Sequence, residues 1–440
     1  MKKTIKACIV FTLLIATFTV FAFAANFETK AEDLKTLGLF LGTEDGFELD
    51  RAPTRCEAGI MLIRLLGKEE EAKATEATHP FTDVEPWADK YVAYLYDKGL
   101  TKGTSETTFG MNDACSAQMF ETFVLRALGY SDAEGGDFTY LGASDFADSL
   151  GVSAPYLRGE TFLRDNVAAI SYNALFAKPK NSEADTLLAG LVADKAVSEE
   201  AAKPYLALYD TYAAFVKASE GVSAEKALEV KMSGDMTMSA MGQSVPITLD
   251  GTMKMIVDDA AAPKALEYAA EVTTSAAGET ASVEQYYKDN VVYVRSGEEK
   301  FKMAMPLDDM LASVAGMDSV EAQPYYMLKS LTSETVDGKT VYTMEFDPDS
   351  TMGAAMDIAG SATGVDLSGS KVKSMKCTVV FDANGKLVSQ NVTAEMTVTS
   401  EGVAMDMAMD MTIDYVATGE SVTITAPADL ADYPELPAQE

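Results

Sequence analysis

Gly38-Leu39-Phe40-Leu41-Gly42-Thr43 is answered by Gly99-Leu100-Thr101-Lys102-Gly103-Thr104, 61 residues further along the chain. One inserted residue later, Phe47 to Gly67 lines up with Phe109 to Gly129. The match ends in Leu62-Ile63-Arg64-Leu65-Leu66-Gly67 against Val124-Leu125-Arg126-Ala127-Leu128-Gly129. Self-similarity over so many spaced positions marks an internal repeat. Each copy reads as a helix, a glycine-containing loop, a capping residue and a second helix stopped by glycine. Thr54 or Ser116 stands at the cap, and Glu57 completes a capping box with Thr54. A third, degenerate copy runs from about Phe138 to Leu175, with Gly151-Val152 after its first helix and Arg164-Asp165-Asn166 opening its second.

The surrounding chain sets the context. Lys2, Lys3 and Lys6 precede an apolar run from Ala7 to Phe23 and the small-residue stretch Ala22-Phe23-Ala24, the pattern of a secretory signal cleaved after Ala24. No later segment reaches the roughly 20 apolar residues of a membrane helix. A formal charge of −33 opposes binding to nucleic acid or anionic lipid and suits an extracellular surface. Removal of the signal leaves Cys56, Cys115 and Cys377, an odd set without the spacing of a zinc or redox motif. Cys56 and Cys115 occupy near-equivalent repeat positions, so they form either one bridge or two buried thiols.

At the repeats the chain resembles the S-layer homology family. Phe81-Thr82-Asp83-Val84, Trp87-Ala88, Tyr91, Leu95, Gly99-Leu100 and Phe109 follow the family pattern in the second copy, and Thr54-Arg55-Cys56-Glu57 matches its T-R-x-E motif in the first. The resemblance implies a three-repeat, all-α spindle held noncovalently to a secondary cell-wall polysaccharide, often pyruvylated, at the cell surface. Thr54, Arg55, Glu57, Asp83, Trp87, Gly103 and Arg164 are the polymer-binding residues it points to. The chemistry is apt: an arginine fork suits a sugar carboxylate, helix amides receive an anion, and Trp87, the sole tryptophan, offers a face for C–H surface. Trp87 is nonetheless expected to be mainly a core residue, and Asp83 to cap the helix after Pro86. The second copy has Ser116-Ala117-Gln118-Met119 in place of T-R-x-E, and the third keeps only Arg164.

After residue 200 the texture changes. A helical connector from about Ser198 to Gly221 leads into short alternating runs such as Leu228-Glu229-Val230-Lys231-Met232 and Val341 to Phe346, the pattern of antiparallel strands. Asp250-Gly251, Asp337-Gly338, Asn384-Gly385 and Glu401-Gly402 read as hairpin turns, and Pro306 to Met317 and Met352 to Ile358 as short helices. Twenty of the 24 methionines lie between Met232 and Met411. Many fall at period two, which puts Met236, Met238, Met253, Met255, Met303, Met305, Met405, Met407 and Met409 on one face of a sheet. Asp235, Thr237, Lys254, Lys302, Asp406, Asp410 and Thr412 take the other. The M-x-M pairs lack the His or Cys cluster that would preform a copper(I) site.

Residues 226 to about 430 resemble the lipoprotein-carrier fold of LolA and LppX type, notably in Tyr286 to Val294 followed by Lys302 to Met310. This implies an antiparallel half-barrel with short packing helices, whose methionine face would hold a lipid or other apolar ligand; a packed, ligand-free core is the alternative. The fold class is thus multidomain α plus β. The expected order is signal peptide (1–24), repeats at 25–76, 77–132 and 133–200, connector (201–225), β domain (226–432) and tail (433–440). No cofactor or metal is expected. His79 is the sole histidine, and no Walker loop, dinucleotide fingerprint or nucleophile elbow occurs, so no enzyme is expected.

Overall fold

The computed structural model describes residues 27–436, apart from 45, 159–160, 221–224, 241, 261, 315–324, 349–370 and 401–402. The signal peptide, Met352 to Ile358 and the Glu401-Gly402 turn lie outside the described residues. The chain divides into a helical unit (residues 26–210 with 324–327) and a β unit (211–323 with 328–440).

In the helical unit, α1 (Glu28–Thr36), α4 (Asp89–Asp97) and α6 (Ala143–Ser149) are the first helices of the three repeats; α2 (Arg55–Leu65), α5 (Ala117–Ala127) and α7 (Arg164–Ala174) are the second. Between and after them lie α3 (Glu69–Ala74) and α8 (Leu187–Ala193), and α9 (Glu199–Ser219) leads on toward the strands. The first helices all stop alike. Gly38, Gly99 and Gly151 take φ of 76°, 68° and 67°, left-handed values that suit glycine. The next residue then donates back into the helix: Leu39 to Leu34 (2.8 Å), Leu100 to Leu95 (2.8 Å) and Val152 to Ala147 (3.0 Å). The third copy is therefore a true repeat despite its divergence. Thr54 and Glu57 form the expected capping box, and Ser116 caps α5 by accepting from the Met119 amide. Cys56 and Cys115 are buried free thiols, pushed to about 12 by burial.

The β unit is an open antiparallel sheet of eleven strands: β1 (Ala227–Ala240), β2 (Gln243–Val257), β3 (Leu266–Ala276), β4 (Glu279–Lys288), β5 (Val291–Ser296), β6 (Glu299–Ala304), β7 (Leu328–Val336), β8 (Lys339–Phe346), β9 (Lys371–Phe381), β10 (Leu387–Ser400) and β11 (Val403–Thr418). The order is β6-β5-β4-β3-β2-β1-β11-β10-β9-β8-β7, two meanders joined where β1 pairs with β11. The sheet does not close, which gives the half-barrel. Helix α10 (Leu307–Val314) follows β6 and buries Met310 and Val314. Phe215, near the end of α9, meets Tyr342 edge-on at 5.2 Å, covering part of the apolar face.

Asp337-Gly338 is a hairpin turn with positive φ at both residues, and Gly385 turns the chain between β9 and β10. Asp250-Gly251 is not a turn. It lies within β2, opposite Ser233 and Met232 of β1, and the reversal comes nearer Gly242. Gly251 is needed for close approach: a Cβ there would meet the Glu271 carbonyl oxygen at 2.8 Å and Val272 at 3.2 Å. Gly251→Val should therefore destabilise the β unit by about 1–3 kcal/mol through overpacking. Urea unfolding followed by far-UV circular dichroism measures this, and an unchanged midpoint would show that the strands yield without cost.

Candidate functional site

The first-half site residues gather where repeats meet. Each junction begins with a helix N-terminus, whose unpaired amides need acceptors. At α2, the Arg55 and Cys56 amides donate to the Asp113 and Met111 carbonyls (2.8 and 3.3 Å) of the second repeat's loop. At α7, the Arg164 and Asp165 amides donate to Arg51 and Leu49 (2.9 and 3.1 Å) of the first repeat's loop. Arg51 and Leu49 are the repeat equivalents of Asp113 and Met111.

The arginine side chains follow the same rule. Arg55 Nε donates to the Phe109 carbonyl (2.9 Å) and Nη2 to Thr101 Oγ1 (3.2 Å), with the guanidinium 4.9 Å from the Phe123 ring centre. Arg164 Nε donates to the Phe47 carbonyl (2.9 Å), and Nη1 reaches Met61 Sδ at 3.7 Å. Phe47 corresponds to Phe109, and Met61 to Phe123. Arg55 is 5% exposed and Arg164 4%, so neither presents the open fork expected of a ligand contact. Burial lowers both guanidinium pKa values. Their partners are neutral carbonyls, a hydroxyl, a sulfur and ring faces, which arginine can satisfy at several points at once.

The second copy's Ala117 cannot do this, and the junction of repeats 2 and 3 is built differently. Glu121 of α5, fully buried, accepts from Ser144 Oγ (2.6 Å), Ser153 Oγ (2.6 Å) and Arg158 Nε (3.0 Å), and Arg158 also pairs with Asp148. An arginine still bridges the junction, but the third repeat's loop supplies it. Sequence reasoning passed over Glu121; a charge set between Phe120 and Phe123 in an apolar helix was the available signal.

Other candidates fall nearer the surface. Asp83 does not cap the helix after Pro86. Its carboxylate accepts from the Phe109, Gly110 and Met111 amides (2.7, 2.7 and 3.3 Å) and so shapes the loop that receives Arg55. Burial works against that charge, but the three amides outweigh it and hold the carboxyl below its usual value. Gly103 has φ +76°, and a Cβ there would meet Phe81 at 2.4 Å. Trp87 is no core residue: it is 57% exposed, and its Nε1 donates to Glu85 (3.0 Å). The Glu85 amide meets Met111 Sδ at 3.2 Å, so Trp87, Asp83 and the start of α2 share one junction. Glu57 is held by Arg51 through two bonds of 2.8 and 2.9 Å, which makes half-exposed Arg51, unmarked in the sequence reading, the more accessible arginine near this helix start.

In the β unit, the register sets the methionines on one face. Met236 pairs with Met409 and Met238 with Met407 across β1 and β11, and Met396 of β10 also faces Met407. Met253, Met255 and Met409 are buried; Met236, Met238, Met303, Met305, Met405 and Met407 are half-buried. Asp235, Thr237, Asp406 and Asp410 lie on the opposite face. Among the described residues no group of three or more His, Cys, Asp or Glu could hold a metal ion, and no helix is long and apolar enough to cross a membrane.

Arg55→Ala should lower the thermal stability of the helical unit by about 2–4 kcal/mol, since it empties a buried space and strips Thr101 and the Phe109 carbonyl of their donor. Arg55→Lys should recover little, because a point charge cannot hold both acceptors and the rings. Fluorescence of Trp87 during heating measures both. Acid is a second probe. Arg126 hydrogen bonding brings Asp132 to about 2, against burial, and Asp83 is lowered as well. Carboxyls depressed in the folded state stabilise it above their unfolded value of about 4 and lose that contribution as pH falls through the folded value. Trp87 fluorescence should thus report loosening between about pH 4 and 2, and Asp132→Asn should flatten that limb.

Residues 80–116 match the S-layer homology domain, and residues 212–434 match a family of unknown function, DUF6612. Similar proteins include the middle cell wall protein of Brevibacillus brevis, 29% identical over 118 residues (26% of this chain, 11% of that protein). The surface layer protein of Brevibacillus choshinensis is 29% identical over 144 residues (30% and 13%). The chain thus spans only 11–13% of the length of these relatives. Among solved structures, LprF from Mycobacterium bovis has 13% identity and a TM-score of 0.28, covering 50% of this chain and 97% of that one. A putative outer membrane lipoprotein-sorting protein domain from Vibrio parahaemolyticus has 9% identity and a TM-score of 0.17, covering 47% and 91%. The fold rests on the strand order itself. With its S-layer homology module and its wall and surface-layer relatives, this is a secreted cell-surface protein. Since residues 212–434 make up half of its 440 residues, the chain belongs to the DUF6612 family, a family of unknown function.

Proposed function

We propose that the helical unit holds the protein noncovalently to a secondary cell-wall polysaccharide and that the methionine face of the β unit shelters a lipid-like or other apolar ligand. The observation carrying the second part is the half-buried row Met236, Met238, Met405 and Met407. These residues continue the face that is buried at Leu228, Val230 and Met232 of the same sheet. Methionine is unbranched and polarisable, so such a surface re-packs around varied apolar shapes.

For anchoring, the exposed Trp87 supplies a sugar-stacking face, with Thr54, Glu57, Asp83 and Gly103 shaping the surrounding loop. Arg55 supports the loop that Asp83 shapes, Arg164 does the same for the first repeat's loop at Phe47, and Arg51 offers a cation near the start of α2. The second reading is a wall-anchored structural or adhesive protein whose β unit is a ligand-free spacer. The deep burial of Met253 and Met255 under the same face favours it, because that part of the sheet is already packed.

The mature protein should sediment with cell-wall sacculi, and Trp87→Ala should weaken this about tenfold or more, with the fold intact by circular dichroism. Equal sedimentation with sacculi stripped of secondary polymer would reject polymer anchoring. Native mass spectrometry should find a co-purified lipid, and a fluorescent fatty acid should bind and be lost in Met236→Glu/Met407→Glu. A ligand-free protein that ignores the probe establishes the spacer reading.

A further inference from the structure

The outer face of the β unit, opposite the methionines, carries two adjoining cross-strand rows over β2 to β6. One reads Lys254, Ala269, Tyr286, Tyr293, Lys302, and the other Thr252, Glu271, Glu284, Arg295, Lys300. Residues 423–436 cross these rows as a strap. Lys254 Nζ donates to the Thr423 carbonyl (3.4 Å), and Arg295 Nη2 and Lys300 Nζ donate to Asp429 (2.5 and 3.2 Å). The buried Tyr433 ring lies against both cations and meets Tyr293 edge-on at 5.6 Å. Lys302 then exchanges backbone hydrogen bonds with Pro434 and Leu436 (2.9 and 2.8 Å). Held on both sides, the strap spans a cleft of about 220 Å³ at Thr425 and Pro427.

We propose that this cleft binds one residue of a neutral sugar. Its floor is Ala269, a small side chain between the Lys254 stem and the Tyr286 ring in the same row. Tyr286, only 3% exposed, is fixed by its hydroxyl, which donates to Glu267 (2.7 Å), and its ring lies 6.0 Å from that of the half-buried Tyr293, which it holds in place as the cleft's aromatic wall. Glu271 and Glu284 face each other directly across β3 and β4, where like charges repel. Glu284 has Arg295 at 3.8 Å, whereas the Glu271 side chain has no hydrogen bond or ion pair among the described residues.

This mixture decides the ligand class. The two carboxylates repel an anion and penalise a purely apolar group; Lys254 and Arg295, although paired with Glu229 (3.3 Å) and Asp429, set positive charge beside them and so weaken the pull on a cation. A polyhydroxyl ring is suited on every side. Its hydroxyls donate to Glu271 and accept from Lys254 or Thr252, while its C–H face lies against tyrosine. The volume of about 220 Å³ admits one such ring. The site lies within the β unit and does not rest on the polymer-anchoring reading.

The full mature chain is titrated with methyl glycosides of glucose, galactose and N-acetylglucosamine, followed by saturation-transfer NMR. At least one should bind saturably with a Kd of a few millimolar or below, the range of about −4 kcal/mol suited to a single ring. Ala269→Val, a change favoured on a strand, fills the floor and should abolish binding, and Glu271→Gln should weaken it about fivefold or more. Circular dichroism should show both variants folded. Absence of saturable binding by all three glycosides, unchanged binding in Ala269→Val, or binding of a lysine-rich peptide that no glycoside displaces would each overturn the proposal.

Discussion

The helical unit depends on one transaction repeated around it: a helix start gives its unpaired amides, and an arginine beside them, to the loop carbonyls of the neighbouring repeat. Arg55 and the α2 amides reach Phe109, Met111 and Asp113; Arg164 and the α7 amides reach Phe47, Leu49 and Arg51. Both partners would otherwise be buried and unsatisfied, at a cost of about 1–3 kcal/mol for each group. The repeats are therefore fixed to one another by groups that cannot be satisfied within a single repeat. Asp83 belongs to the same device, because it gathers the amides of the loop whose carbonyls face Arg55.

This arrangement changes what an altered motif means. Loss of arginine at Ala117 looks, from sequence, like loss of a binding site. In the fold it is a junction rebuilt with Glu121 and Arg158, in which a buried carboxylate is matched by a guanidinium and two hydroxyls. A buried pair of this kind tolerates removal of neither partner. The second copy does without T-R-x-E, and the third repeat's loop supplies the cation at that junction.

The repeat, its caps and its glycine stops were legible because they are local: spacing, a Ser or Thr cap and a left-handed glycine each declare themselves within a few residues. The side on which Arg55 points was not, since an arginine at a helix start suits both an external carboxylate and a neighbour's carbonyls, and only tertiary packing chooses. Trp87 shows the converse. A lone tryptophan in a family pattern reads as core, yet the helix leaves it outside, tied to Glu85. In the sheet, period two placed the methionines on one face correctly. It could not tell buried Met253 from half-buried Met238, because burial varies along a strand while side-chain alternation does not. Asp250-Gly251 misled for a related reason: the dipeptide signals a turn, but glycine also serves where a neighbouring backbone comes close, as Glu271 does here.

An open sheet leaves two edges, and each exposes backbone groups able to recruit another chain. At β6 the strap meets this: Pro434 to Leu436 pair with Lys302, and the acids Asp429 and Glu435 neutralise Arg295, Lys300 and Lys302. To reach that edge from β11, near the middle of the sheet, the strap crosses β1 to β5 on the polar face, where Lys254, Arg295 and Lys300 hold it. The crossing covers a row whose side chains are large except at Ala269, so a hollow forms there between strap and sheet. Edge protection and cleft thus have one cause, and the tyrosines that hold the strap also wall the hollow.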